Sequence, residues 1–160
     1  MKGIKCVIFA FWLLPAYSQT ISRDALIGRV YKKINEIRAL KNYQEEEGDL
    51  IAPVENNYCF SRISDKKNTM VLFTKYLPVG HYKILAVLDL GVLNKNTSLV
   101  ISLCRVNTKN DGEIVALVKP TNKPLFKTII KAWKPDEKTH KFIPISVKGI
   151  DCVNEGEDAD

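Results

Sequence analysis

Two hydrophobic textures divide the chain. Between Ser22 and Asn42, Ile27, Val30, Ile34 and Ile37 recur at helical spacing, with Leu26 and Leu40 widening the stripe. Arg29, Lys32, Lys33 and Glu36 occupy the other side. Recurrence every three to four residues places side chains on one helix face. Ser22 is a good N-cap, and Asp24 complements the dipole of the first turn. The spacing predicts one amphipathic helix over residues 22–42. Residues 43–57 are polar and acidic and contain Gly48 and Pro53, so they read as a connecting loop.

From Tyr58 onward the pattern changes to short, β-branched runs broken by turn residues. Strands are predicted at 58–63, 69–77, 82–93, 97–106, 113–120, 126–133 and 141–150. Asn110-Asp111-Gly112 is the strongest turn signal, because Asn and Gly tolerate positive φ. Links this short join antiparallel neighbours. Along 82–93, Tyr82, Ile84, Ala86, Leu88 and Leu90 take one face while Leu85, Val87 and Leu93 take the other. A strand apolar on both faces needs a cover on each. The expectation is an α+β fold, with one N-terminal amphipathic helix packed on a curled antiparallel meander of six to seven strands. Two architectures satisfy it: a roll wrapped around the helix, or a small barrel with the helix appended.

The first residues change the picture. Lys2 and Lys5 precede the apolar run Cys6 to Leu14, Pro15 breaks it, and Ala16-Tyr17-Ser18 ends in small residues. A charged start, a short apolar run and an A-x-A-like end are what the secretory pathway reads. The run is too short to cross a bilayer, which takes about 20 residues. The reading is a signal peptide at 1–18, a single domain at 19–150 and an acidic tail at 151–160, in a secreted, extracellular protein without a membrane span.

At 160 residues, with 46% hydrophobic and 26% charged, the chain has the composition of an ordinary globular protein. Without the leader, 22 basic residues face 18 acidic ones, and five of those acids crowd the last ten positions. A basic body with an acidic tail fits an anionic partner, or a tail that screens the body. No basic run with interleaved aromatics occurs, so nucleic acid is not the expected partner.

Cys59, Cys104 and Cys152 remain after the leader, an odd number in an oxidising compartment. In a curled meander the first and last strands approach each other, which favours Cys59–Cys152; Cys104–Cys152 is the next choice. The odd cysteine leaves either a monomer with one buried thiol or a disulfide-linked dimer. Asn96-Thr97-Ser98 is an N-glycosylation acceptor in a predicted turn.

Catalytic patterns are missing. No H-E-x-x-H, C-x-x-C, G-x-S-x-G or phosphate-loop motif occurs, and the two histidines, His81 and His140, are far apart in sequence. No metal, cofactor or enzymatic activity is expected. The order of elements resembles the cystatin-type inhibitors, in which a long helix is wrapped by an antiparallel sheet and hairpin tips enter a protease cleft. The order matches over much of 22–133. Where that family carries Gln-x-Val-x-Gly and Pro-Trp, this chain has Tyr76-Leu77-Pro78-Val79-Gly80 and Ala132-Trp133-Lys134-Pro135, which depart from both motifs. A lipocalin-like carrier of a small apolar ligand is the other alternative, with its site in an apolar interior near Trp133.

The expectation is therefore a secreted, non-catalytic protein that binds an extracellular protein partner. Loops carry binding on rigid sheets. The candidate contacts are Leu77, Pro78, Val79, Gly80 and His81 in one turn, residues 107–112 in another, and Trp133.

Overall fold

The computed structural model describes residues 22–46 and 57–156. The leader predicted at 1–18 lies outside them. Five strands, β1 (Val30–Tyr31), β2 (Gln44–Glu46), β3 (Tyr58–Ser64), β4 (Thr69–Leu77) and β5 (His81–Gly91), form a first antiparallel sheet in the order β1-β5-β4-β3-β2. The rest of the chain supplies β6 (Ser98–Ile101), β7 (Cys104–Val106), β8 (Lys109–Asp111), β9 (Val115–Val118), β10 (Leu125–Phe126), β11 (Ile129–Asp136), β12 (Lys141–Pro144) and β13 (Ile150–Val153). A second sheet runs β12-β11-β9-β6 and a third runs β10-β13-β7-β8.

The predicted helix is not there, and the fold is nearly all β. Residues 22–43 form a strap of three short 3₁₀ turns and the two-residue strand β1. Gly28 shows why. It turns the chain at φ +81, donates its N–H to the Ile84 carbonyl at 2.8 Å, and Ile84 donates back to the Arg29 carbonyl at 2.9 Å. A helix would lose about 1 kcal/mol at that glycine and restrict χ1 of Ile27, Val30, Ile34 and Ile37. Pairing with the edge of β5 satisfies the same backbone groups and lets other side chains point inward. Leu26, Tyr31, Ile34, Leu40 and Tyr43 are buried, whereas Val30, central to the predicted stripe, is 51% exposed.

The single curled meander is also corrected: the strands sort into three stacked sheets. The strap covers one face of the first sheet, packing on Ile63, Met70, Leu72, Ile84 and Val87. The other face, through Phe60, Val71, Phe73, Ala86 and Leu88, meets Ile101 and Val115 of the second sheet. The second sheet turns Val100, Ala116, Val118 and Ala132 toward Cys104, Phe126, Ile150 and Cys152 of the third. So β5 does need a cover on each face, as its sequence demanded, but strap and sheet supply them.

A bulge explains why simple alternation misassigned its faces. Phe73 pairs with Ala86 and Thr74 with Ile84, which leaves Leu85 unpaired and reverses the side-chain parity. Ile84 and Val87 thus share the strap side, while Ala86 and Leu88 share the other. The run predicted as one strand at 97–106 breaks at Ser102, where φ is +62 and the chain passes from the second sheet to the third. The break expected over 107–112 contains two turns around a short strand. Asn107 and Thr108, both at positive φ, join β7 to β8. After strand residues Asn110 and Asp111 the chain turns again at Gly112 and Glu113, where the Ile114 N–H donates to the Asp111 carbonyl at 3.3 Å.

Cys104 and Cys152 face each other across β7 and β13 and form the disulfide, in place of the expected Cys59–Cys152. Cys59 is a free thiol on β3, 5% exposed. First and last strands do not meet, because β13 closes on β7 in a different sheet from β3. The apolar Cys59 environment raises its thiol pKa by desolvation, and its burial leaves it out of reach of a second chain.

Candidate functional site

The β4–β5 hairpin projects the residues that sequence analysis singled out at 77–81. Leu77 pairs with His81, and Pro78, Val79 and Gly80 make the connection. Pro78 fits its first position because its φ is preset and it needs no hydrogen-bonded N–H. Gly80 has φ +73, a region open to glycine at no steric cost. Val79 is different. It is β-branched, yet it sits at φ +66 and ψ +23 with 83% of its surface exposed. The left-handed region costs an L-residue roughly 1–2 kcal/mol, and no buried contact offsets it here.

A row of tyrosines crosses the sheet at the base of this tip. Tyr31, Tyr82 and Tyr76 are cross-strand partners on β1, β5 and β4. The Tyr31 and Tyr82 rings stack with centroids 5.7 Å apart, and Tyr82 meets Tyr76 edge-on at 5.4 Å. Exposure grows along the row: Tyr31 is 2% exposed, Tyr82 half-buried, Tyr76 41% exposed. Burial pushes the Tyr31 phenol far above its ordinary pKa, and its hydroxyl lies near Ser61 without a well-formed hydrogen bond. Desolvation likewise raises Tyr82. Aromatic cross-strand pairs stiffen a sheet by up to about 1 kcal/mol each, so the row holds the hairpin base rigid beneath its tip.

The strap braces the other side of that base. Glu36 accepts the Lys32 backbone N–H at 3.0 Å. Its carboxyl is held below the usual carboxylate range by the backbone N–H groups of Lys32 and Lys33, with a smaller contribution from His81. The antiparallel pairing of Tyr31 with Tyr82 brings His81, the last residue of the predicted turn, beside the strap.

Trp133 does not join this site. It is part of the packing between the first and second sheets, and it floors an open groove of about 350 Å³ with Ile130, Pro144, Ile145 and Val147. No residue of the 77–81 turn lines that groove. The space between the sheets at Trp133 is filled by Phe60, Val71 and Phe73. Residues 107–112 belong to the third sheet and its hairpin, where Asp111 accepts an ion pair from Lys134 at 2.6 Å. Asn96 is exposed in the turn before β6; Asn94 shapes that turn by accepting the Asn96 N–H at 3.0 Å on its side chain and the Thr97 N–H at 2.9 Å on its carbonyl.

Sequence reasoning found the turn and missed the tyrosine row. The signal is the symmetric placement of Tyr76 and Tyr82 about the turn, whereas Tyr31 falls in the segment whose spacing predicts a helix. Among the described residues there is no group of three or more His, Cys, Asp or Glu side chains that could hold a metal, and no helix is long and apolar enough to cross a membrane. No family model, curated protein or solved structure matches this chain.

Proposed function

We propose that the protein is secreted and acts by binding an extracellular protein through the β4–β5 hairpin tip, without catalysis. One observation carries the reading: Val79 keeps a strained left-handed backbone while its side chain faces solvent. Strain of this kind persists only where surrounding structure imposes it, and it concentrates at binding and switch sites. Tyr76, 41% exposed on the strand that leads into the turn, is of the residue type that anchors such interfaces, and Val79 adds exposed apolar surface at the tip. The disulfide between Cys104 and Cys152 is consistent with an extracellular setting. The Asn96-Thr97-Ser98 triplet lies in an exposed turn that a glycosylating enzyme can reach, and Asn96 is the proposed glycan site.

A photo-activatable residue replacing Val79 should cross-link the secreted protein to one extracellular protein in the fluid it is released into. The same residue replacing Lys138, in the exposed turn between β11 and β12, should give no adduct. Adducts from Lys138 alone would place the contact elsewhere and reject the tip.

A further inference from the structure

The strap that replaces the helix presents a charged surface. Arg23, Arg29, Lys32, Lys33, Arg38 and Lys41 are all exposed, and between Ser22 and Tyr43 only Asp24 and Glu36 oppose them. None of the six forms an ion pair among the described residues, where the cations that do are Arg62, Arg105 and Lys134. Glu36 is occupied with the Lys32 backbone N–H. The strap runs from the β5 edge of the first sheet, where β1 pairs, to its β3 edge, where β2 pairs. β1 and β2, the two edge strands, are four strand spacings apart, about 19 Å. The cations are thus spread along a segment that crosses the sheet, and none of them lines the grooves at Phe126 or Trp133.

We propose that this outer surface binds a linear sulfated polysaccharide. The distribution of side chains selects that class. Tyr31 and Tyr43, the strap's two aromatics, are buried beneath it, so no platform is left on which nucleic-acid bases would stack. A membrane surface would call for an apolar face to sink into the headgroups; apart from Val30, the exposed residues between the cations are acidic, small or amide, such as Asp24, Ala25, Asn35, Glu36, Ala39 and Asn42. An acidic protein interface is normally centred on aromatic anchors alongside its arginines, and the strap turns no aromatic outward. A chain of sulfates needs only spaced cations and amide donors. Arg23, Arg29 and Arg38 add planar forks suited to two oxygens of one sulfate. Arg29 spends its Nε on the Ala25 carbonyl at 3.2 Å, which aims the rest of its guanidinium outward.

The surface adjoins the hairpin base where Lys32 follows Tyr31 alongside His81, but none of its six cations is a residue of the protein-binding reading. The test is retention on immobilised heparin as salt rises, with two double variants, Lys32→Gln/Lys33→Gln and Arg38→Gln/Lys41→Gln, and a control, Lys138→Gln/Lys141→Gln. All six positions are exposed, and an unchanged melting temperature shows that each variant folds. The wild-type protein should stay bound above roughly 0.15 M salt. Each strap variant should bind about tenfold more weakly and with a shallower dependence on salt, because fewer counterions are released. The control should elute with the wild type. Equal weakening by the control would mean diffuse charge and no site. Comparable binding to phosphatidylserine vesicles or to polyglutamate-bearing protein would assign the surface to a membrane or to an acidic protein, and either result overturns the proposal.

Discussion

Arg105 and Asp151 lie opposite each other on β7 and β13, next to the Cys104–Cys152 bridge. The guanidinium donates from Nε and Nη2 to the two carboxylate oxygens at 2.6 and 2.9 Å. That fork holds the Asp151 carboxyl below the usual carboxylate range. A lowered folded-state pKa stabilises the fold at pH values above the ordinary Asp value, about 3.9, and the contribution is lost as pH falls through the folded value. Both side chains retain about a quarter of their exposure, so solvent screening limits the effect to about 1 kcal/mol. Denaturant titrations of the wild-type protein and Asp151→Asn should diverge at pH 6 and converge as pH drops below about 4; a gap that does not narrow on acidification would contradict the ion pair. The neighbouring disulfide spans 48 positions. The chain-entropy model gives such a loop about 4 kcal/mol. In the third sheet, made of strands of two to four residues, that constraint carries more weight than any single side-chain contact.

At the scale of elements, the strap is where sequence and structure part. Helical spacing at Ile27, Val30, Ile34 and Ile37 was genuine, but spacing reports only which residues could share a face. It is blind to an open strand edge nearby, and the edge of β5 is what captures Gly28 and Arg29. The strands at 58–64, 69–77 and 81–91 were legible because β-branched and aromatic runs there are long and bounded by turn residues. Short strands were not: β6, β7 and β10 each have four residues or fewer, and sheet membership depends on kinks such as Ser102 that no pattern announces. Gly28→Ala separates the two accounts by sign. In a helix the alanine would stabilise by about 1 kcal/mol. In the strap, φ +81 forces it into the left-handed region, although a Cβ there would touch nothing within 4 Å. The expected outcome is a loss of roughly 1–2 kcal/mol, measured by urea unfolding.

Seen as one molecule, the protein stacks a strap and three sheets so that the first and second sheets are buried on both faces. The need to cover both faces of residues 82–93 was legible in the sequence; the identity of the covers was not, because it depends on contacts between residues far apart in the chain. The same holds for the site. The turn at 77–81 announced itself through Pro78 and Gly80, but its stiffening by Tyr31 required a partner from the strap. The disulfide was misassigned for the same reason, since it followed from a closed meander that the three sheets replace. What unites the molecule is a rigid layered body that holds one strained apolar residue out to solvent. Val79→Gly tests that claim most directly, read as unfolding free energy and as affinity for the partner that Val79 cross-links. Relief of the left-handed strain, less the entropy glycine adds to the unfolded chain, should raise stability by up to about 1 kcal/mol. Affinity should fall, because the anchor is gone and the tip is looser. A variant that gains stability and binds as well as the wild-type protein would show that the strain serves no interaction, and the hairpin tip would not be the site.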